Sequence, residues 1–255
     1  MPIVADAVSF LASSLTIAAL PKTAPKPAQA RGPLLKDARE GAAFLFGNKL
    51  PLGLSLRPAV GNFAFMGTNA VMVLFVRETL HLGVAAYGFF LTASALGGLG
   101  GSAIAGSLDR RLGTGGTLTL TAAVEAVALL GIGLSPNAWL AGCGEAVMGI
   151  AMGATMVLGP SVRQAIVPDE LMGRVGATAR LIGLSAGPLG AVFGGWLAHV
   201  AGLRAPFLFG AAVLAAMVVV AARLTSNKRI AAELAAAKKR ALRTTQEHTA
   251  QLATA

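Results

Sequence analysis

Charge is missing from long stretches of this chain, and that limits its fold more than any other feature. No Asp, Glu, Lys or Arg occurs from Thr79 to Leu108, and residues 112–162 hold only Glu125 and Glu145. Between these stretches sits a dense cluster, Asp109-Arg110-Arg111, within the sequence AGSLDRRLG. Apolar runs of this kind match the roughly 20 residues needed to cross bilayer hydrocarbon. Composition agrees, with 55% of residues hydrophobic and 13% charged, against about 25% charged in a soluble domain. The fold class that follows is an all-α membrane protein. A membrane β-barrel would show short alternating segments instead.

Seven spans are expected, roughly over 3–20, 58–76, 84–108, 114–135, 138–160, 177–200 and 204–222. The first is the weakest, since it holds Asp6 and the serines Ser9, Ser13 and Ser14. The domain plan is a membrane helix over 1–20, a linker over 21–57, a six-helix bundle over 58–223 and a charged tail over 224–255. If the 21–57 linker lies inside the cell, all of the 21 Lys and Arg except Arg77 and Arg204 fall on that side. This bias predicts a multi-pass protein of the plasma or inner membrane, with its C-terminus in the cytoplasm and the lipid bilayer as partner. The net charge of +10 is spread over the ends of apolar spans, which argues against nucleic acid as a partner.

The linker begins with PKTAPKPAQARGP, a Pro-rich tether without helical period. LLKDAREGAAFLF follows, with Leu34, Leu35, Ala38, Ala42, Leu45 and Phe46 on one face and Lys36, Asp37, Arg39 and Glu40 on the other. That pattern suits a helix on the membrane surface, or equally one packed on the bundle. The tail from Asn227 reads as a solvated helix whose Lys238-Lys239-Arg240 cluster can meet anionic lipid.

Chemistry-bearing motifs are sparse. The only cysteine is Cys143, and His81, His199 and His248 are scattered. With no P-loop, nucleophile elbow or metal-ligand spacing, neither an enzyme nor an ATP-driven pump is expected, and no cofactor or metal.

The AGSLDRRLG cluster resembles the loop motif of the major facilitator superfamily, matching it at Gly106, Leu108, Asp109, Arg110 and Gly113. Thr114 and Gly115 stand where that motif has further basic residues, as in its degenerate second-half copy. In this register, residues 58–222 correspond to helices 7–12 of that fold and 3–20 to helix 6. GLSAGPLGAVFGG, with Gly183, Gly187, Pro188, Gly190, Gly194 and Gly195, resembles the family's Gly-Pro antiporter motif. RQAIVPDELMGRV resembles a loop of the siderophore- and macrolide-exporter group. The resemblance implies proton-coupled export of a small amphipathic compound, drug-like or siderophore-like. It implies two six-helix halves, so the partner is an N-terminal half, on a longer chain or separate.

The residues themselves leave alternatives open. Glycines at 183–194 let helices approach closely, and Pro188 can kink its helix. Asp109, Arg110 and Arg111 form either a hydrophilic turn or a latch in which Asp109 meets the other half. Polar groups inside the membrane are functional candidates by default. Glu145 comes first, with Met148, Met152 and Thr155 following along its face, as a cavity wall or as packing. Burial favours the protonated form of a carboxyl group, so Glu145, and secondarily Glu125, are the proton-coupling candidates. Asn62, Met66 and Asn69 share a face of the second span and either contact substrate or bond to neighbouring helices. VADAVSFLAS carries no basic leader or cleavage motif, as expected of an interior segment. Three readings therefore stand: the C-terminal part of a secondary transporter, a half that pairs with another half, or a membrane protein that transports nothing.

Overall fold

The computed structural model describes residues 2–19, 34–83 and 85–254. The Pro-rich tether expected over 21–33 lies outside the described residues. Residues 1–34 and 35–255 are separate compact units. In the first, α1 (Pro2–Ala18) is a 17-residue apolar helix, short of a full span, and Phe10, Leu11 and Leu15 are exposed on it.

The second unit contains α2 (Leu34–Gly47), α3 (Lys49–Leu74, prolonged by a wider π turn over Phe75–Thr79), α4 (Ala85–Leu134), α5 (Ala138–Ile166), α6 (Asp169–Ala201), α7 (Ala205–Leu224) and α8 (Asn227–Thr254). No strand occurs among the described residues. Five of these helices are long and apolar enough to cross a membrane. One of them, α4, is two helices that meet at Gly113, where φ 72° and ψ 161° break the helical course. Each arm alone exceeds the roughly 20 residues of a span, which makes six spans in this unit.

Neighbouring positions fix the directions of the spans. Along the first arm of α4, Gly97 faces Ala146 and Gly101 faces Ile150 of α5, so these two run parallel. Along the second arm, Ile132 faces Gly144 and Thr121 faces Thr155, an antiparallel relation. The two arms therefore run in opposite directions, as a hairpin requires. By the same reading α3 and α6 are parallel, with Asn62 beside Gly183 and Gly67 beside Gly194. Helix α7 runs back against α3, with Gly53 beside Leu224 and Ala64 beside Gly210. One end of the bundle thus gathers Arg110, Arg111, Arg163, Arg174 and Arg223. The other carries Arg77 and Arg204, the division of charge expected from the sequence.

Glycines hold two helix pairs at backbone distance. In the α3–α6 seam, a Cβ on Gly190 would overlap the Phe63 carbonyl, and one on Gly194 would overlap that of Gly67. In the α4–α5 seam, a Cβ on Gly97 or Gly101 would overlap the carbonyl of Ala146 or Ile150. Large apolar side chains fill the space elsewhere. Phe75, Phe90, Phe207 and Ile132 are fully buried toward the Arg204 end, with the Phe75 and Phe207 rings 4.7 Å apart. Leu45, Leu118 and Ile230 are buried toward the other end. Leu99, Trp139, Leu189 and Val192 point outward, exposed by 66–77%, as helices facing lipid require.

Three features depart from the sequence expectation. The span expected from 58 starts at Lys49, so Arg57 is a helix residue and not a loop residue. Pro51 is tolerated in the first turn, where no intrahelical N–H bond is lost. Helix α2 packs on the bundle by a face that overlaps the expected one at Leu45 but is turned toward Gly41. Gly41 lies against the Arg174 carbonyl, Glu40 pairs with Arg174 and Leu45 is buried, whereas Phe46 is exposed. Finally, α8 is anchored where it begins. Asn227 Oδ1 accepts from the N–H groups of Gly115 (2.8 Å) and Gly116 (3.2 Å), and its Nδ2 donates to the Leu112 carbonyl (2.7 Å). A side chain at Gly113 would meet Asn227, and one at Gly115 the Thr225 carbonyl. Small residues therefore follow the Asp-Arg-Arg cluster because the start of α8 sits against them.

Candidate solute cavity

A cavity of about 670 Å³ opens between α3, α5 and α6, toward the end that carries Arg110 and Arg111. Leu54, Leu118, Met156 and Leu184 supply apolar wall. Arg57, Asn62, Thr155, Arg163 and Arg180 supply polar groups from all three helices.

The best-held polar group is Arg57, 5% exposed in the interior of the unit. Its Nη2 donates to Glu125 Oε1 at 3.0 Å and to Thr121 Oγ1 at 2.8 Å, and its Nε to the Leu118 carbonyl at 3.3 Å. The Thr155 hydroxyl lies 3.1 Å from that of Thr121. The network therefore joins α3, the second arm of α4, and α5. Ions removed from water need a partner and satisfied hydrogen bonds, and Arg57 and Glu125 each supply the other's. Glu125 is 3% exposed and shut behind the wall by its partner.

Of the candidates singled out in the sequence, Asn62 and Thr155 border the cavity. Asn62 Nδ2 also donates to the Gly183 carbonyl at 3.0 Å, across the α3–α6 contact. Met66, 40% exposed, lies against Gly187. Asn69 accepts from the Tyr87 hydroxyl at 3.2 Å. Glu145, expected on a cavity wall, does not border the cavity; it sits one turn from Gly149, which packs on the Ser94 carbonyl of the first arm of α4. Met148 is 4% exposed within the core, and Met152 packs against the same cluster. Neither methionine borders the cavity, because the glycines of the α4–α5 seam turn this face of α5 toward α4. Helix α6 is continuous through Pro188, and Gly190 and Gly194 serve close packing.

In the loop cluster, Arg110 donates to Ser107 at 3.0 Å, and Gly106 and Arg111 are exposed. Asp109 differs: its Oδ1 is buried without a hydrogen-bond partner among the described residues. At the opposite end, Arg204 caps the second arm of α4 through the carbonyls of Gly133 (2.6 Å) and Ser135 (2.9 Å).

Reading the sequence missed Arg57 by assigning it to the linker. The available signal was Glu125. An acidic residue in the middle of an apolar span calls for a cationic partner at similar depth, and Arg57 supplies it. Among the described residues, no group of three or more His, Cys, Asp or Glu is placed to hold a metal.

Comparison with known proteins supplies what the geometry cannot. The family described as Major Facilitator Superfamily matches residues 6–252. A D-xylose transporter of Levilactobacillus brevis is 29% identical over 127 residues, 49% of this chain and 28% of that protein. Sugar transporter ERD6-like 15 of Arabidopsis thaliana is 28% identical over 124 residues, 48% of this chain and 26% of that protein. The matched stretch thus spans less than a third of either relative.

Proposed function

Because the chain belongs to the major facilitator superfamily, we propose that it forms one half of a secondary active transporter, with the cavity between α3, α5 and α6 as its side of the solute path. The observation that carries this reading is the cavity itself. Polar groups from three separate helices converge on it, and apolar wall lies between them. Such a surface suits a small amphipathic solute. The second half of the path comes from an N-terminal half, on the same longer chain or on another. The direction we infer is proton-coupled export, with Glu145, a half-buried carboxyl group within a span, as the proton-carrying group. In this reading the protein belongs with siderophore-like and drug-like exporters, its Arg110 end faces the cytoplasm of the cell, and Asp109, part-exposed beside Arg110, latches onto the other half.

A second reading has its own support. Both relatives named above are sugar transporters, which favours an uncharged polar solute. Flux in everted vesicles from native cells, against vesicles from cells lacking the chain, separates the two. Accumulation of fluorescein inside the vesicles, driven by a pH gradient and lost in Glu145→Gln, is expected. Movement of radiolabelled D-xylose alone would favour the sugar reading. No chain-dependent flux of either would remove both.

A further inference from the structure

We infer that the cavity is an anion site, and that the solute it takes carries a carboxylate, sulfonate or phosphate group on an apolar body. Three guanidinium groups border the cavity: Arg57 from α3, Arg163 from α5 and Arg180 from α6. Among the described residues, no Asp or Glu borders it. Glu125, behind the wall, is committed to Arg57, so among the described residues the wall keeps an excess of two positive charges.

Arg57 spends donors behind the wall, on the Leu118 carbonyl, Thr121 and Glu125. Arg163 and Arg180 have no ion-pair or hydrogen-bond partner among the described residues; Arg163 is half-buried and Arg180 exposed. A bias of basic residues toward one side of a membrane accounts for arginines at this end of the bundle. It does not account for two of them, on different helices, turned toward one cavity. In a cleft with apolar walls the field of such a pair is focused, which raises the local concentration of anions. Guanidinium groups also match carboxylate, sulfonate and phosphate oxygens in pairs. Asn62 and Thr155 add polar groups beside them, and Leu54, Met156 and Leu184 receive the apolar part.

This inference rests on the transport reading only in calling the bound molecule a solute, and the test below measures binding without flux. The full chain, purified in a non-ionic detergent at low salt, is titrated with three ligands that share one ring system. These are naphthalene-1-sulfonate, the neutral naphthalene-1-sulfonamide and the cationic 1-naphthylmethylammonium. The sulfonate is expected to bind about tenfold tighter than the sulfonamide, the ratio that one charge-assisted hydrogen bond supports. The preference should vanish in Arg163→Gln/Arg180→Gln and persist in Arg163→Lys/Arg180→Lys, with the thermal midpoint of each variant confirming its fold. If the double glutamine variant does not fold, each single glutamine variant is expected to lose part of the preference. Equal binding of sulfonate and sulfonamide, tighter binding of the cation, no binding of any of the three, or a preference that survives the glutamine substitutions would overturn the inference. Anion binding without flux would leave the site standing and remove the transport reading. Flux without anion preference would do the reverse.

Discussion

Individual residues carry the charge of this protein in two ways, and each makes a separate prediction. The Arg57–Glu125 pair is closed on itself: both side chains are buried, at 3.0 Å. Removing one partner strands the other in a poorly polar interior, so Glu125→Gln should destabilise the protein by about 3–5 kcal/mol. The paired change Arg57→Met/Glu125→Leu should cost less than either single change, because nothing is left unmatched. Thermal and denaturant unfolding in detergent check both, and additive losses in the double variant would contradict the pairing. Asp109 is the opposite case. Its buried Oδ1 has no hydrogen bond among the described residues to lose, so Asp109→Asn should shift stability by no more than about 0.5 kcal/mol. If the residue is a latch, the same change should still alter transport. Unchanged transport would leave only a hydrophilic turn.

At the level of helices, packing is decided by which glycines have a neighbour. A Cβ on Gly194 or Gly101 would run into backbone, whereas Gly195 and Gly100 have open space around them. Gly194→Ala and Gly101→Ala should therefore destabilise by about 1–3 kcal/mol. Gly195→Ala and Gly100→Ala should be neutral, or stabilising by up to about 1 kcal/mol through helix propensity. Thermal midpoints of the four variants test this, and similar shifts within each adjacent pair would count against the seams. The glycine-rich segments were legible in the sequence as close-packing surfaces, but their partners were not, since nothing local says which helix lies opposite Gly194. Helix α2 shows the same gap. Its apolar stripe was visible, yet the contact with Arg174 turned on Gly41 and Glu40, one too small to register as apolar and one charged. Asn227 was equally silent, because its partners are backbone groups far away in sequence.

Across the whole molecule, the spans were readable because each is a run of apolar residues bounded by charge or by a turn. The hairpin at Gly113 was readable from the charges beside it. The cavity was not, because it arises from helices that are distant in sequence. Asn62 and Thr155 could be picked out as polar residues in apolar spans, but Arg57 and Arg180 were absorbed into the basic bias at the span ends. Orientation is a property of this scale too. In a Cys143→Ser background, single cysteines at Thr114 and Lys238 should react with an impermeant maleimide only from the cytoplasmic face. One at Asn137 should react only from outside. Labelling of Thr114 and Asn137 from the same face would overturn the proposed topology. The two glycine seams have a mechanical consequence. Backbones in contact cannot slide past each other without collision, so α3 with α6, and α4 with α5, behave as two stiff blades. The cavity lies where the blades part, and Arg57 with Glu125 pins one to the other. Its width is then governed by the angle between the blades rather than by bending of any single helix, and the joints between them are that polar pin and α7, which packs on both.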